Sequence, residues 1–343
     1  MRRHLRSLIS IGAPITIGAI LVAVLLCYLN RWDSFVVITL IPIWAWAMAG
    51  MLSSIIFGAK FKSRVCIVLF FLWLLIGVLM SDETQSLGRE FKVAVLGGKT
   101  VPKEGERVFR IITVNCGLGR IEAANEVRDL KPDIVFLQEA PEKAKLDALI
   151  VELFEGQGSY VANAGNAIIA RGRFENTEPV VKKKSTFRTR LQMPDGEVID
   201  LANVHLQRSI PRFDLWKQAA WTEFLENRIE NRRTLRHLVR YRSESISSAN
   251  EIPPLIVAGD FATPPGDDVF RMLKIAELED ASVSSGDGSG NTYPASFPLL
   301  RLDQIWHTDG IQAIKIESKR SSQTDHKIVI CDFILSKESS GQD

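Results

Sequence analysis

Three long uncharged runs near the N-terminus constrain this chain more than any other feature. Residues 8–29 carry no charge, residues 34–59 form a second such run, and residues 65–81 a third. About 20 apolar residues cross the hydrocarbon core of a bilayer. The pattern therefore predicts three transmembrane helices, at about 8–29, 34–59 and 65–81, with the second kinked at Pro42. A signal peptide is the competing reading of the first run, given the basic start Arg2-Arg3-His4-Leu5-Arg6. The run is long for that role, however, and lacks a small-x-small cleavage site. Bulky Leu26 before Cys27 also argues against lipoprotein processing. Trp32, Trp44, Trp46 and Trp73 suit either an aromatic belt or helix packing.

Charge divides the chain in the same place. Residues 1–80 hold seven Lys/Arg and one acid, Asp33, a net +6, whereas the whole chain is +2 and the remainder is therefore −4. An apolar, basic-edged front precedes a mildly acidic globular part. That excludes a fully soluble protein. It also argues against a strongly basic nucleic-acid-binding domain, which needs clustered Lys and Arg. With 46% hydrophobic and 24% charged residues, the chain is not a disordered polymer.

Lys and Arg in short loops set membrane orientation. Arg2, Arg3 and Arg6 precede the first run, Arg31 beside Asp33 follows it, Lys60, Lys62 and Arg64 follow the second, and Asp82 and Glu83 follow the third. The expectation is a multi-pass protein of the cell membrane with a cytoplasmic N-terminus and an extracytoplasmic globular domain. The lipid bilayer is then one partner. Cys27 and Cys66 fall in the apolar runs, and Cys116 and Cys331 in apparent strands. A disulfide between the latter two is possible in an oxidising space, and small buried thiols are the alternative.

Residues 82–107 read as a polar linker, 108–337 as one domain and 338–343 as a tail. Strands are expected at Val108–Val114, Asp133–Leu137, 159–162, 166–171, 178–184, 197–206, Leu255–Ala258, Gln304–Trp306 and Lys327–Leu335. Helices are expected at Ile121–Leu130, 142–154, 214–243 and Asp267–Leu273, with a Gly/Ser loop at 284–290. The strand-rich middle suggests a mixed sheet.

The chemistry sits where apolar strands stop. Asn115, Glu139, His205 and Asp260 each follow an apolar run, while Asp303 and Asp325-His326 each precede one. Strand ends form the rim on which layered folds build sites. Oxygen-rich groups there suit a hard divalent cation and acid–base hydrolysis. Taken singly, each also suits a turn cap or a satisfied buried imidazole.

The order of these groups resembles the endonuclease/exonuclease/phosphatase superfamily, which has the DNase I-like fold. The matching stretches are Thr113-Val114-Asn115, Pro132 through Glu139, Asn203-Val204-His205-Leu206, Ala258-Gly259-Asp260-Phe261, Arg301 through Ile305, and Thr324-Asp325-His326. The stretch Thr292-Tyr293-Pro294 to Asp303 is similar to a membrane-anchored bacterial subgroup of the VanJ type. The resemblance implies an α/β, four-layer α/β/β/α sandwich preceded by three transmembrane helices.

It further implies that Glu139 binds Mg²⁺ or Mn²⁺ with Asn115 and Asp325 nearby, and that Asp260 orients or deprotonates the attacking water. Asp303 would hold His326 toward the phosphate, and His205 and Asn203 would contact substrate. One departure stands out. The family usually has Gly-Asp-x-Asn, and here Gly259-Asp260-Phe261-Ala262 lacks the amide. Thr263 or Asn203 could fill that role.

The expectation is a membrane-anchored, metal-dependent phosphohydrolase (a phosphodiesterase or phosphatase) acting outside the cytoplasm, with a phosphodiester, or a phosphate or pyrophosphate carried by a lipid, as its substrate. An extracytoplasmic nuclease acting on nucleic acid is the alternative, and a catalytically impaired binding module a third reading. Arg228, Arg232, Arg236 and Arg240, four apart on the long helix, either form a basic stripe for polyphosphate or anionic lipid, or pair with Glu223, Glu226 and Glu230.

Overall fold

The structure, a computed structural model, describes residues 2–96, 101–103, 106–181, 185–209, 214–246, 252–285 and 290–335. The expected tail at 338–343 and most of the Gly/Ser loop lie outside these residues. The chain divides into two compact units, Met1–Gly88 with Ile210–Glu226, and Arg89–Ser209 with Asn227–Asp343.

The first unit is built on apolar helices. They are α1 (Arg2–Asn30), α2 (Val36–Leu40), α3 (Ile43–Phe61) and α4 (Arg64–Met80), followed by α5 (Asp82–Leu96), which crosses into the second unit. The expected second span is broken rather than merely kinked. Pro42 cannot donate a helical hydrogen bond and holds Ile41 extended, so α2 stops and α3 starts afresh. Leu8–Asn30 and Ile43–Phe61 are long and apolar enough to cross a membrane. The third expected span is shorter, because α4 has 17 residues and joins the other two by length only if its bent continuation α5 is counted. Small residues allow close packing here. A side chain at Gly50 would collide with the buried Trp73 indole, and one at Gly77 would press on Ala47. Trp73 therefore packs helices and does not belong to a belt.

Residues 82–96, expected as a polar linker, are helical. They form the helix α5, opened by Asp82 and Glu83 in its first turn, where carboxylates complement the helix dipole.

The second unit holds two six-stranded sheets. The first contains β1 (Val108–Asn115), β2 (Ile134–Gln138), β3 (Gly158–Asn163), β4 (Asn166–Arg171), β11 (Ile311–Arg320) and β12 (Lys327–Leu335), ordered β11-β12-β1-β2-β4-β3. The other contains β5 (Arg173–Pro179), β6 (Phe187–Gln192), β7 (Val198–His205), β8 (Leu255–Asp260), β9 (Glu279–Asp280) and β10 (Asp303–His307), ordered β5-β6-β7-β8-β10-β9. Strand expected at 178–184 is displaced. It ends at Pro179, and the next strand, β6, begins at Phe187.

Alternate residues of the central strands face opposite ways. Phe109, Ile111, Phe136 and Ile168 meet Phe187, Leu201, Ile256 and Ile305 between the sheets. Full burial of such side chains contributes about 1.5–3 kcal/mol each. The outer face of the first sheet is covered by α6 (Ile121–Asn125) and α7 (Lys143–Phe154) through Ala123, Leu146 and Phe154. That of the second sheet is covered by α8 (Gln218–Ile246) and α9 (Arg271–Ile275) through Leu235, Leu238 and Leu273. A last short helix, α10 (Ala281–Ser284), follows β9. The layers run helix, sheet, sheet, helix, as the DNase I-like expectation requires.

The arginine stripe on α8 is partly internal. Arg228 is buried against Asp267, and Arg232 pairs with Asp268, at 3.1 Å each. These two hold α8 to the segment before α9, so the four do not form one solvent-facing stripe. All four cysteines are free and buried, in keeping with thiols used as small core groups.

Candidate active site

Topology brings the strand ends together. β1 and β2 are parallel and end side by side at Asn115 and Gln138. β7 and β8 are parallel and end at the paired His205 and Asp260. β10 runs antiparallel to β8 and starts with Asp303 opposite Asp260. β12 runs antiparallel to β1, so His326, just before it, lies near the end of β1. Gly259 makes this approach possible. Its φ of 142° and the Val204 carbonyl beside it leave no room for a side chain.

Asp260 is buried at the centre. Its Oδ2 accepts from Asn115 Nδ2 at 3.0 Å and its Oδ1 from the Ala262 amide at 2.7 Å. His326 Nδ1 donates to Asp303 Oδ2 at 2.8 Å, and His326 Nε2 lies 3.9 Å from Asp260 Oδ2. Asp303 Oδ1 is buried without a hydrogen-bond partner among the described residues. Glu139 sits just past β2 with a left-handed φ of 46°. Such a conformation is uncommon for a non-glycine residue and gathers at functional sites. One Glu139 oxygen accepts from the Leu118 amide, and the other lies 4.0 Å from His205 Nε2.

Electrostatics follow from burial and neighbours. Burial pushes the Asp260 carboxyl above its ordinary value, the His326 and His205 imidazoles pull it back, and Asp303 pushes it up again. Burial disfavours the His326 imidazolium, but Asp303, Asp260 and Asp325 outweigh it and raise that group to about 10. His326 is therefore a cation at neutral pH, aimed across the gap at Asp260.

Asp260, Asp303 and His326 offer ligand atoms within 4.8 Å of one another, a group that could hold a cation. His326 Nδ1 is already occupied by Asp303, which leaves Nε2 alone for that purpose. Oxygen donors suit a hard divalent cation better. The Glu139 carboxylate and Asn115 Oδ1 are oxygens, the latter accepting from the Gly117 amide, and Asp303 Oδ1 is a buried oxygen without a hydrogen-bond partner among the described residues.

Two of the expected residues are placed differently from the rest. Asn203 is fully buried. Its Nδ2 donates to Leu137 O and Ala167 O, and its Oδ1 accepts from Gln138 Nε2. That amide ties the two sheets together beneath the site and is not at the open rim. Asp325 is exposed, with Thr324 Oγ1 3.5 Å from its Oδ1, and no hydrogen bond joins it to Glu139 or Asn115 among the described residues. The two candidate substitutes for the missing amide at 262 already have partners. The Thr263 hydroxyl is bonded to Ser209, and Asn203 is occupied as described.

Two residues given no role from the sequence support the site. The Thr292 hydroxyl accepts from the Leu302 and Asp303 amides at 3.1 Å, and its carbonyl accepts from Lys327 N at 2.9 Å. Thr292 thus joins the starts of β10 and β12. The Tyr293 ring lies 5.0 Å from that of His326. Their only sequence signal was the string Thr292-Tyr293-Pro294 itself.

The family model described as Endonuclease/Exonuclease/phosphatase family matches residues 112–326. Among solved structures, an endonuclease/exonuclease/phosphatase from Bacteroides vulgatus superposes with a TM-score of 0.51 at 16% identity, covering 67% of this chain and 100% of its own. The human nocturnin catalytic domain with bound sulfate anion gives 0.49 at 16%, over 69% and 100%. Truncated Caenorhabditis elegans TDP2 gives 0.47 at 16%, over 67% and 98%. At 16% identity the Bacteroides vulgatus structure speaks for the fold alone. No curated protein sequence matches the chain.

Proposed function

The chain belongs to the endonuclease/exonuclease/phosphatase family, a family of phosphoesterase hydrolases that are typically divalent-metal dependent, and on that premise we propose that it is a membrane-anchored, metal-dependent phosphohydrolase. The observation that carries this reading is the Asp303–His326 pair facing Asp260 across a 3.9 Å gap. A buried carboxylate and a fixed imidazolium on two sides of one space suit a water attacking a phosphoryl group.

In this reading Glu139 and Asn115 would hold the cation, Mg²⁺ or Mn²⁺, with Asp325 as a further carboxylate for it. When bound, the cation offsets charge on the phosphoryl oxygens and helps orient them. Asp260 positions a water and takes its proton as the oxygen attacks phosphorus in line. His326 donates from Nε2 to a phosphoryl oxygen, and its Asp303 hydrogen bond keeps the ring pointed there. His205, half-buried beside Asp260, donates to a second phosphoryl oxygen. The bond to the leaving oxygen then breaks, and that oxygen takes a proton from solvent. Asn203 positions Gln138 and the sheet ends rather than touching substrate.

The loop charges support a cytoplasmic N-terminus and an extracytoplasmic domain, and the apolar helices support a substrate carried by lipid at the bilayer. The mild negative charge of residues 81–343 counts against nucleic acid. A substrate panel on the full chain in nanodiscs tests this, with plasmid DNA, a nucleotide, phospholipids and a polyprenyl pyrophosphate, each with Mg²⁺, Mn²⁺ or EDTA. Metal-dependent cleavage of a lipid phosphate is expected. Cleavage of DNA alone would favour the nuclease reading. Reporters fused after residue 85 and near Lys62 should be active only in their extracytoplasmic and cytoplasmic forms, respectively.

A further inference from the structure

Helix α5 turns its apolar side outward. Leu87, Phe91 and Val95 are 62%, 71% and 61% exposed. Spaced four apart, they stack along one face. Ser86, on the other side of the helix, is buried, as is Ser81 just before the first turn. A helix docked on a globular core does the reverse.

Its place in the chain says what covers that face. α5 starts two residues after α4 ends, and the two are bent by 63°. Asp82, Glu83, Arg89, Glu90 and Lys92 fall within its first eleven residues. Charges at that density do not enter hydrocarbon, so α5 does not continue the span. α4 alone reaches about 25 Å at 1.5 Å per residue, slightly short of a core of about 30 Å. The end of α4 is then at the boundary between acyl chains and headgroups. A helix turned away from the span there, with an apolar stripe between charged flanks, has the form of an interfacial helix.

We infer that α5 lies in the membrane interface, with Leu87, Phe91 and Val95 set among the acyl chains and the bilayer surface as its partner. The inference rests on the membrane-crossing reading of the first unit and not on the hydrolase reading. An interfacial α5 also accounts for a third crossing as short as α4.

The test places single cysteines at 87, 91 and 95, and at Gln85 and Arg89 on the other side of the helix, in the full chain in nanodiscs. The four native cysteines are at most 4% exposed, so a spin label reaches the introduced one. Labels at Val22 and Leu52, exposed on α1 and α3, report hydrocarbon. Collisions with oxygen relative to a water-soluble nickel chelate are expected to be higher at 87, 91 and 95 than at 85 and 89. Equal, water-like values at all five, with lipid-like values at 22 and 52, would overturn the inference. So would shielding of 87, 91 and 95 from both reagents, which would mean a protein partner. Water-like values at 22 and 52 would remove the membrane reading and this inference with it. A Phe91→Trp variant gives a second readout against the wild type's seven tryptophans. Its added emission should be quenched by lipids brominated at shallow acyl positions, and an unquenched signal contradicts the inference.

Discussion

Asp303 stands directly opposite Asp260 on the neighbouring strand, and His326 lies between the two buried carboxylates. Like charges placed opposite each other in a sheet are destabilising. The arrangement holds because the His326 imidazolium contacts one acid at 2.8 Å and faces the other at 3.9 Å. The relationship gives each acid a separate role. Asp303 sets the imidazole, and Asp260 is left facing the space where a water and a phosphate would meet.

The pair predicts a pH-dependent stability. His326 has its value raised from 6.5 to about 10 in the folded chain. Its contribution is fully present below pH 6.5 and is lost as pH rises through about 10. Asp303→Asn should lower stability by about 3 kcal/mol at pH 6, typical for breaking a buried pair. Denaturant unfolding in EDTA should show that difference shrinking by pH 10.5. A difference that does not change with pH would mean that the imidazole is neutral in the fold.

Ala262 has a left-handed φ of 49°, a conformation that Asn adopts more readily than Ala. Ala262→Asn should therefore raise stability by up to about 1 kcal/mol. It should also raise kcat about 10-fold, or 1.4 kcal/mol of transition-state stabilisation, by restoring a polar contact. Thermal melts and initial rates read the two effects separately. A more stable variant with no gain on any substrate would favour the impaired-module reading.

Asn203→Ala should act on stability and not on substrate binding. It removes the donor to the Leu137 and Ala167 carbonyls and one of the two acceptors of Gln138 Nε2, which keeps Thr113 Oγ1. Each orphaned buried group costs about 1–3 kcal/mol, so a loss of about 3 kcal/mol or more is expected, with KM unchanged for the folded fraction. A higher KM at unchanged stability would restore the substrate-contact role.

The site was more legible in the sequence than the sheet edges were. Asn115, Glu139, His205, Asp260, Asp303 and His326 could be read because each borders a strand buried on both faces, where a polar residue interrupts an apolar run. Strand β11 was missed because it alternates buried Ile and Ala with Lys, Glu and Gln, and β6 because Arg188 and Arg190 interrupt it. Those arginines pair with Glu178 and Asp200 on the neighbouring strands, partners that sequence does not display. The bonding of Asn203 was hidden for the same kind of reason, since what its amide bonds depends on how the two sheets meet. α5 carried a legible signal in Leu87, Phe91 and Val95, hidden by the charges around them.

The most direct measurement is the initial rate of phosphodiester hydrolysis by the full chain, stripped of metal and then titrated with Mg²⁺ or Mn²⁺, beside Glu139→Gln. The account predicts no rate without metal, a saturable rise with it, and a rate about 10²-fold or more lower in the variant at an unchanged unfolding midpoint. Hydrolysis that ignores the metal, or a variant as active as the wild type, would contradict it.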